Sequence, residues 1–270
     1  MKNLLTTNDT ATLGKLIRYP AVVVIVASLI WVSACQPDES RKPQPVTGSI
    51  TLNFINVADE AEIELDKTIF KNAAGNQYEV SLLQYYISNI SLKGCECGPF
   101  EEEESYHLIR MLDDPNLGGF VNEHKIVMDS VQIGKYNEIE FSVGVDEIRN
   151  SSGDMVGALD PINDMFWGWQ TGYIFVKIEG KYLDSSLNKQ AFTYHIGGDG
   201  AYRTINLKLP ENITLEENQN ITIDIYANLN EIFTNPTTYN FNEFSGTMAP
   251  GDKANEVANN YANMFSLEKP

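Results

Sequence analysis

His195 is one of three histidines in the chain, and it lies in Phe192-Thr193-Tyr194-His195-Ile196-Gly197-Gly198. If this run is a strand, Phe192, Tyr194 and Ile196 share one face and His195 turns to the other. An imidazole there is either a hydrogen-bonded structural group or a metal ligand, and neutral imidazole suits copper or zinc. A second reactive stretch is Met165-Phe166-Trp167-Gly168-Trp169-Gln170-Thr171-Gly172-Tyr173-Ile174-Phe175-Val176-Lys177-Ile178-Glu179-Gly180, with two of the three tryptophans. Its aliphatic residues Ile174, Val176 and Ile178 alternate with Tyr173, Phe175, Lys177 and Glu179. Continued upstream, the same alternation sets Trp167 and Trp169 on the face of Lys177 and Glu179. That pattern is either an aromatic core strand or one wall of a site, in which the Trp167, Trp169 and Tyr173 rings line up beside Lys177 and Glu179, with His195 and Tyr194 on a second strand.

The remaining histidines, His107 and His124, belong to no His-Glu-x-x-His motif. No Gly-x-Ser-x-Gly elbow and no phosphate-binding loop is present either. Hydrolase and nucleotide-enzyme readings therefore lose support, and the chain is expected to bind rather than to catalyse. Carbohydrate binding through exposed Trp167 and Trp169 is a weaker alternative.

The elements that must carry these residues are short alternating runs between Gly, Asn, Asp and Pro. Examples are Ile50 to Phe54, Tyr78 to Leu82, Ile139 to Val145, Ile174 to Ile178, Phe192 to Ile196, Ile205 to Leu209 and Ile221 to Ile225. Many short strands at this spacing predict an all-β fold, an antiparallel β-sandwich. Near the end, Ala254, Val257, Ala258, Tyr261, Ala262 and Phe265 recur at steps of three and four, which predicts one short C-terminal helix with Asp252 as its N-cap. Cys95 and Cys97, one residue apart in a Gly- and Pro-bounded turn, form either a tight disulfide or a soft-metal dithiolate clip. Glu101 to Glu104 reads as a solvated loop. A calcium site there, or around Asp160 and Asp164, lacks EF-hand spacing.

Residues 1–34 read as a signal peptide. Lys2, Lys15 and Arg18 precede an apolar run from Ala21 to Ala34 that is shorter than the about 20 residues a membrane span needs. The run ends in Val32-Ser33-Ala34-Cys35, which resembles a bacterial lipobox; an ordinary signal peptide with a chance cysteine is the alternative. The lipobox reading implies cleavage before Cys35, lipid on that cysteine, and a membrane anchor without a span. Residues 35–48 then form a polar, Pro-containing tether, and residues 49–270 the folded domain. The expected place is the outer membrane, on its periplasmic face or at the cell surface. The net charge of -18 repels nucleic acid and favours cations.

Several pieces in order look like the MbnP-like family of bacterial copper-binding proteins. They are Gln84-Tyr85-Tyr86-Ile87-Ser88-Asn89-Ile90, Phe141-Ser142-Val143-Gly144-Val145-Asp146 with Asn150, Met165 to Trp169, Gly172 to Gly180, Tyr194 to Gly198, and Asn260 to Phe265. The resemblance implies a β-rich protein that binds copper. It also implies that a partner di-haem, peroxidase-like enzyme of the MbnH type oxidises Trp167 or Trp169 to kynurenine, whose amine joins histidine at the metal. Tryptophan is among the side chains most readily oxidised by electron loss. Family members often carry a histidine soon after the phenylalanine of the first strand, and Asn56 stands in that place here. This departure motivates the alternative of a metal-free surface lipoprotein, a structural or interaction module.

Overall fold

Alternation of apolar and polar side chains builds most of the chain into strands, and the paired sheets bury the apolar faces. The computed structural model describes residues 45–114, 119–152, 156–168 and 170–270. The leader, Cys35, the tether up to residue 44 and Trp169 lie outside the described residues.

In chain order the first strands are β1 (Thr47–Ala58), β2 (Ala61–Glu62), β3 (Phe70–Lys71), β4 (Gln77–Lys93), β5 (Phe100–Glu101) and β6 (Tyr106–Arg110). They are followed by β7 (Leu112–Asp114), β8 (Gly119–Val121), β9 (Glu123–Gln132) and β10 (Gly134–Val143), then by helix α1 (Glu147–Ser152). After two 3-10 turns come β11 (Phe166–Gly168), β12 (Gly172–Leu183), β13 (Lys189–Gly197), β14 (Arg203–Leu215) and β15 (Asn220–Asn228). The chain closes with β16 (Gly246–Thr247), helix α2 (Asp252–Tyr261) and β17 (Phe265–Ser266).

The larger sheet runs β14-β10-β4-β12-β13-β16, with β11 on β12 and β3, β5 and β6 on β4. The smaller runs β17-β15-β1-β2, with β9 on β1. Their inner faces meet through aromatic edges: Phe54 stands at right angles to Phe141, and Phe265 to both. A second cluster gathers Tyr78, Phe192, Phe233 and Phe241.

The β-sandwich with a short C-terminal helix is as expected, but its sheets are mixed. β1 pairs β15 in parallel from Ser49–Asn220 to Val57–Asn228, and β13 pairs β16 in parallel. The strands of each parallel pair are far apart in the chain, so no hairpin turn imposes an antiparallel sense. In α2 the predicted stripe Ala254, Val257, Ala258 and Tyr261 is fully buried. The helix begins one residue earlier than predicted: Gly251 is the N-cap and Asp252 the first helical residue. It stops at Tyr261, because Phe265 leaves the helical period to pair, as β17, beside Ala227.

One feature breaks the sandwich pattern. The outer face of the larger sheet is covered at its centre by residues 156–165. Tyr86 Oη donates to Ala158 O (2.9 Å) and Tyr173 Oη to Leu159 O (2.8 Å), while Leu159 and Met165 are buried. With cover on one side and core on the other, β12 is buried at every residue from Gly172 to Ile178.

Candidate functional site

His195 sits in β13 between Tyr194 and Ile196, both fully buried in the core, and strand alternation turns its ring to the outer face. Its Cα partner on β12 is Lys177; Lys177 pairs with Gln84 on β4, and Gln84 with Arg110 on β6. A polar row, Arg110-Gln84-Lys177-His195, thus crosses four adjacent strands on one face.

At the His195 end, Nε2 lies 2.7 Å from Glu179 Oε1. An ionised carboxylate only accepts, so Nε2–H is the donor. In neutral imidazole this leaves Nδ1 with the lone pair, the arrangement in which a carboxylate orients a ligating histidine. The His195 side chain is 14% exposed and that of Glu179 36%.

Trp167 reaches the same face. A Cβ built on Gly197 would lie 2.9 Å from Trp167 Cζ3 and 2.2 Å from Tyr173 O, so glycine is what lets the indole edge and β12 approach together. Gly197 is two residues beyond His195 on β13, about 7 Å along the strand. Indole and imidazole therefore lie on the same side of the sheet, the indole edge over the outward position next to His195.

Next to them lies a buried cation. Lys177 is 5% exposed, and its Nζ donates to Asp164 O (3.1 Å) and Asp164 Oδ2 (2.5 Å). Asp164 ends a 3-10 turn in the left-handed conformation, with φ of 57°. The Lys177 hydrogen bond and charge, with a smaller contribution from His195, hold its carboxyl below the usual carboxylate range. Arg110 Nη2 donates to Asn163 Oδ1 (2.8 Å), so the row also fastens the covering segment. Gln84 Oε1 is buried and has no hydrogen-bond partner among the described residues.

The other expected residues are distributed as follows. Tyr173 lies on the outer face beneath Leu159, its ring 4.9 Å from that of Phe166. Tyr194 points to the core and donates to Phe244 O (2.6 Å). A bulge between Ile174 and Val176 interrupts the simple alternation at Phe175, whose ring packs where Gly144 lacks a side chain. His107 Nε2 is 2.8 Å from Glu102 Oε2. Burial first, then His107 and Arg110, lower the pKa of His124. Cys95 and Cys97 are joined as a disulfide with Cα atoms 5.1 Å apart. The carboxylates weighed for calcium have local partners: Glu102 takes Ser105 and His107, Glu104 takes Arg149, and Asp160 caps its 3-10 turn through Ile162 N.

The profile of the MbnP family matches residues 47–249. The chain belongs to the MbnP family. Among solved structures it is similar to MbnP from Methylosinus trichosporium, with 16% identity, a TM-score of 0.49, and coverage of 77% of this chain and 87% of that one. No curated protein matches the chain.

For an MbnP chain the question is whether these residues fit copper. His195, oriented by Glu179, offers one imidazole of the right chemistry. Asn56 offers nothing further: its Oδ1 accepts from Tyr85 Oη (2.9 Å) and its Nδ2 donates to Asn122 O (3.1 Å). Tyr85 pairs with Val176, which pairs with Ile196, so Asn56 works on the core side of the sheet and His195 on the outer side. Among the described residues no three His, Cys, Asp or Glu side chains are grouped to hold a metal ion. The fit is thus one oriented imidazole beside an indole. Sequence reasoning missed Asp164, Gln84 and Arg110 as partners of this site. The available signal was Lys177, a lysine among Ile174, Phe175, Val176 and Ile178, which calls for a paired counter-charge.

Proposed function

We propose that this MbnP-family protein handles copper at the outer-face site of His195 and Trp167, and that lipid on Cys35 tethers it to a bacterial membrane. Glu179 orients His195. Lys177 and Asp164 pin the segment that leads into Trp167, and Gly197 gives the indole its seat. Copper would supply the metal-binding or redox chemistry, with His195 as its imidazole donor. Among the described residues, the donors fall short of a closed set. This accords with tryptophan oxidation, at Trp167 or Trp169, by a di-haem enzyme of the MbnH type, which would add an aromatic amine. The observation that carries the reading is the shared face: Trp167 rests on Gly197, the next outward position after His195.

Copper titration with metal analysis of the purified chain, before and after exposure to the haem partner, tests it. Binding is expected to be weak before exposure and stronger after, with a mass change on the peptide that holds Trp167 and Trp169. His195→Ala should abolish the gain. Full copper affinity in His195→Ala, or an unchanged peptide mass, would overturn the reading. A second reading, a metal-free surface lipoprotein, is favoured by one observation: the Lys177 ammonium beside His195 opposes a second cation. It expects no copper before or after exposure.

A further inference from the structure

The turn from β4 to β5 holds a feature that the outer-face site does not use. Gly94-Cys95-Glu96-Cys97-Gly98 closes a disulfide across one intervening residue. Disulfide stabilisation through the unfolded chain grows with the logarithm of the loop closed, so so small a loop contributes little to holding the fold. The two sulfurs also differ in setting. Cys95 is half-buried and packs on the core, whereas Cys97 is exposed. The backbone N–H of Cys97 donates to Cys95 Sγ at 3.2 Å. Room for Cys95 comes from Gly134, where a Cβ would stand 2.4 Å from Cys95 Sγ. A cavity of about 560 Å³ opens beside the turn, lined by Lys93, Gly94, Cys95, Pro99, Glu101 and Glu140.

We propose that Cys95–Cys97 is a thiol–disulfide exchange site, with the exposed Cys97 sulfur as the one attacked. A thiolate of a dithiol-bearing protein bonds to Cys97 Sγ as the Cys95–Cys97 bond breaks, and Cys95 leaves as the thiolate. The Cys97 N–H already directed at Cys95 Sγ stabilises that leaving charge. The partner's second thiolate then attacks its own sulfur in the mixed disulfide and releases Cys97 as a thiolate. Two electrons pass to this chain, and the partner is left with a disulfide. The surroundings select the partner. Lys93 is taken by Glu138 and Glu140, and Glu96, Glu101 and Glu102 stand in or beside the turn, so the approach is acidic. A dithiol carried on a basic surface is favoured over an anionic small thiol.

The test uses the oxidised full chain with three probes: neutral dithiothreitol, cationic cysteamine and anionic glutathione, with acid quench, alkylation and peptide mass mapping. The expected results are a mixed disulfide on Cys97, reduction several-fold faster by cysteamine than by glutathione, and a narrowing of that gap in high salt. Reduced and oxidised protein should melt within a few degrees of each other. The Cys95→Ser/Cys97→Ser double variant should keep the wild-type circular dichroism and form no adduct. An adduct on Cys95, resistance of the folded protein to dithiothreitol, or collapse of the fold on reduction would each overturn the proposal.

Discussion

Asp164→Asn is the most informative single change, because the Asp164–Lys177 pair is lopsided. The Lys177 side chain is 7% exposed and that of Asp164 88%. Neutralising Asp164 leaves a buried ammonium with the Asp164 carbonyl and an amide oxygen in place of a carboxylate. A hydrogen bond to a charged group contributes about 1.5–3 kcal/mol. The exposure of Asp164 screens this toward the lower end, so the expected loss is about 1–2 kcal/mol. In a domain of this length that lowers the melting temperature by about 2–8 °C. Lys177→Met should cost less, or stabilise, because it removes the ammonium together with its desolvation penalty and leaves Asp164 in water. The pH dependence has a definite sign. The folded Asp164 carboxyl is held below its ordinary range by Lys177, so its contribution is present above the unfolded carboxylate pKa and is lost as pH falls through the folded value. Calorimetry at neutral and acid pH should therefore show the wild-type advantage over Asp164→Asn closing on acidification. Lys177→Met melting below Asp164→Asn at neutral pH, or a gap that persists in acid, would refute the reasoning.

Tyr85→Phe removes the donor to Asn56 Oδ1 between the sheets. It should lower stability by about 1–3 kcal/mol, read as a shift of the urea midpoint at unchanged slope. Asn150→Ala should destabilise by a similar amount, about 1–3 kcal/mol, because Asn150 Oδ1 accepts from Tyr173 N (2.7 Å) and its amide donates to Asp199 (2.9 Å). Asn150 ties the Trp167 hairpin to the loop beyond Gly197, so its loss should also shift tryptophan emission, which a distant destabilising variant would leave alone. The pKa of His124 is lowered in the folded chain, so stability should fall as pH drops below the ordinary histidine value. His124→Gln should flatten that slope in denaturation curves taken across the range.

The strands of the larger sheet were readable because their apolar period of two survives wherever one face is buried. Phe192, Tyr194 and Ile196 declare β13 and turn His195 outward, as the structure has it. The parallel pairing of β1 with β15 left no local trace, since the strands are separated by most of the domain and register only through matching apolar faces. The candidate site was readable in its pieces but not in its wiring. His195, Trp167 and Glu179 are marked by residue type. Asp164, which pins Lys177, sits in a turn whose left-handed residue and short 3-10 turns have no period to detect. By sequence Asn56 marks a vacant ligand position; its use as a bridge to Tyr85 depends on which strand faces it across the core.

The same cover explains why the chemistry gathers at the β12–β13 edge. An antiparallel sandwich ordinarily leaves its outer face wet, and charged residues there need no partners. Residues 156–165 make the centre of the larger sheet dry on both sides, so Lys177 needs Asp164, and Tyr86 and Tyr173 need the carbonyls of Ala158 and Leu159. The cover thins toward β13, where His195 and Glu179 are partly exposed and Trp167 lies across Gly197. An imidazole and an indole at that margin are shielded enough for electrostatic contacts to count, yet His195 and Glu179 still reach solvent. The site's position thus follows from where the cover ends, so loosening the Asp164 anchor should alter the environment of Trp167 before it unfolds the sandwich.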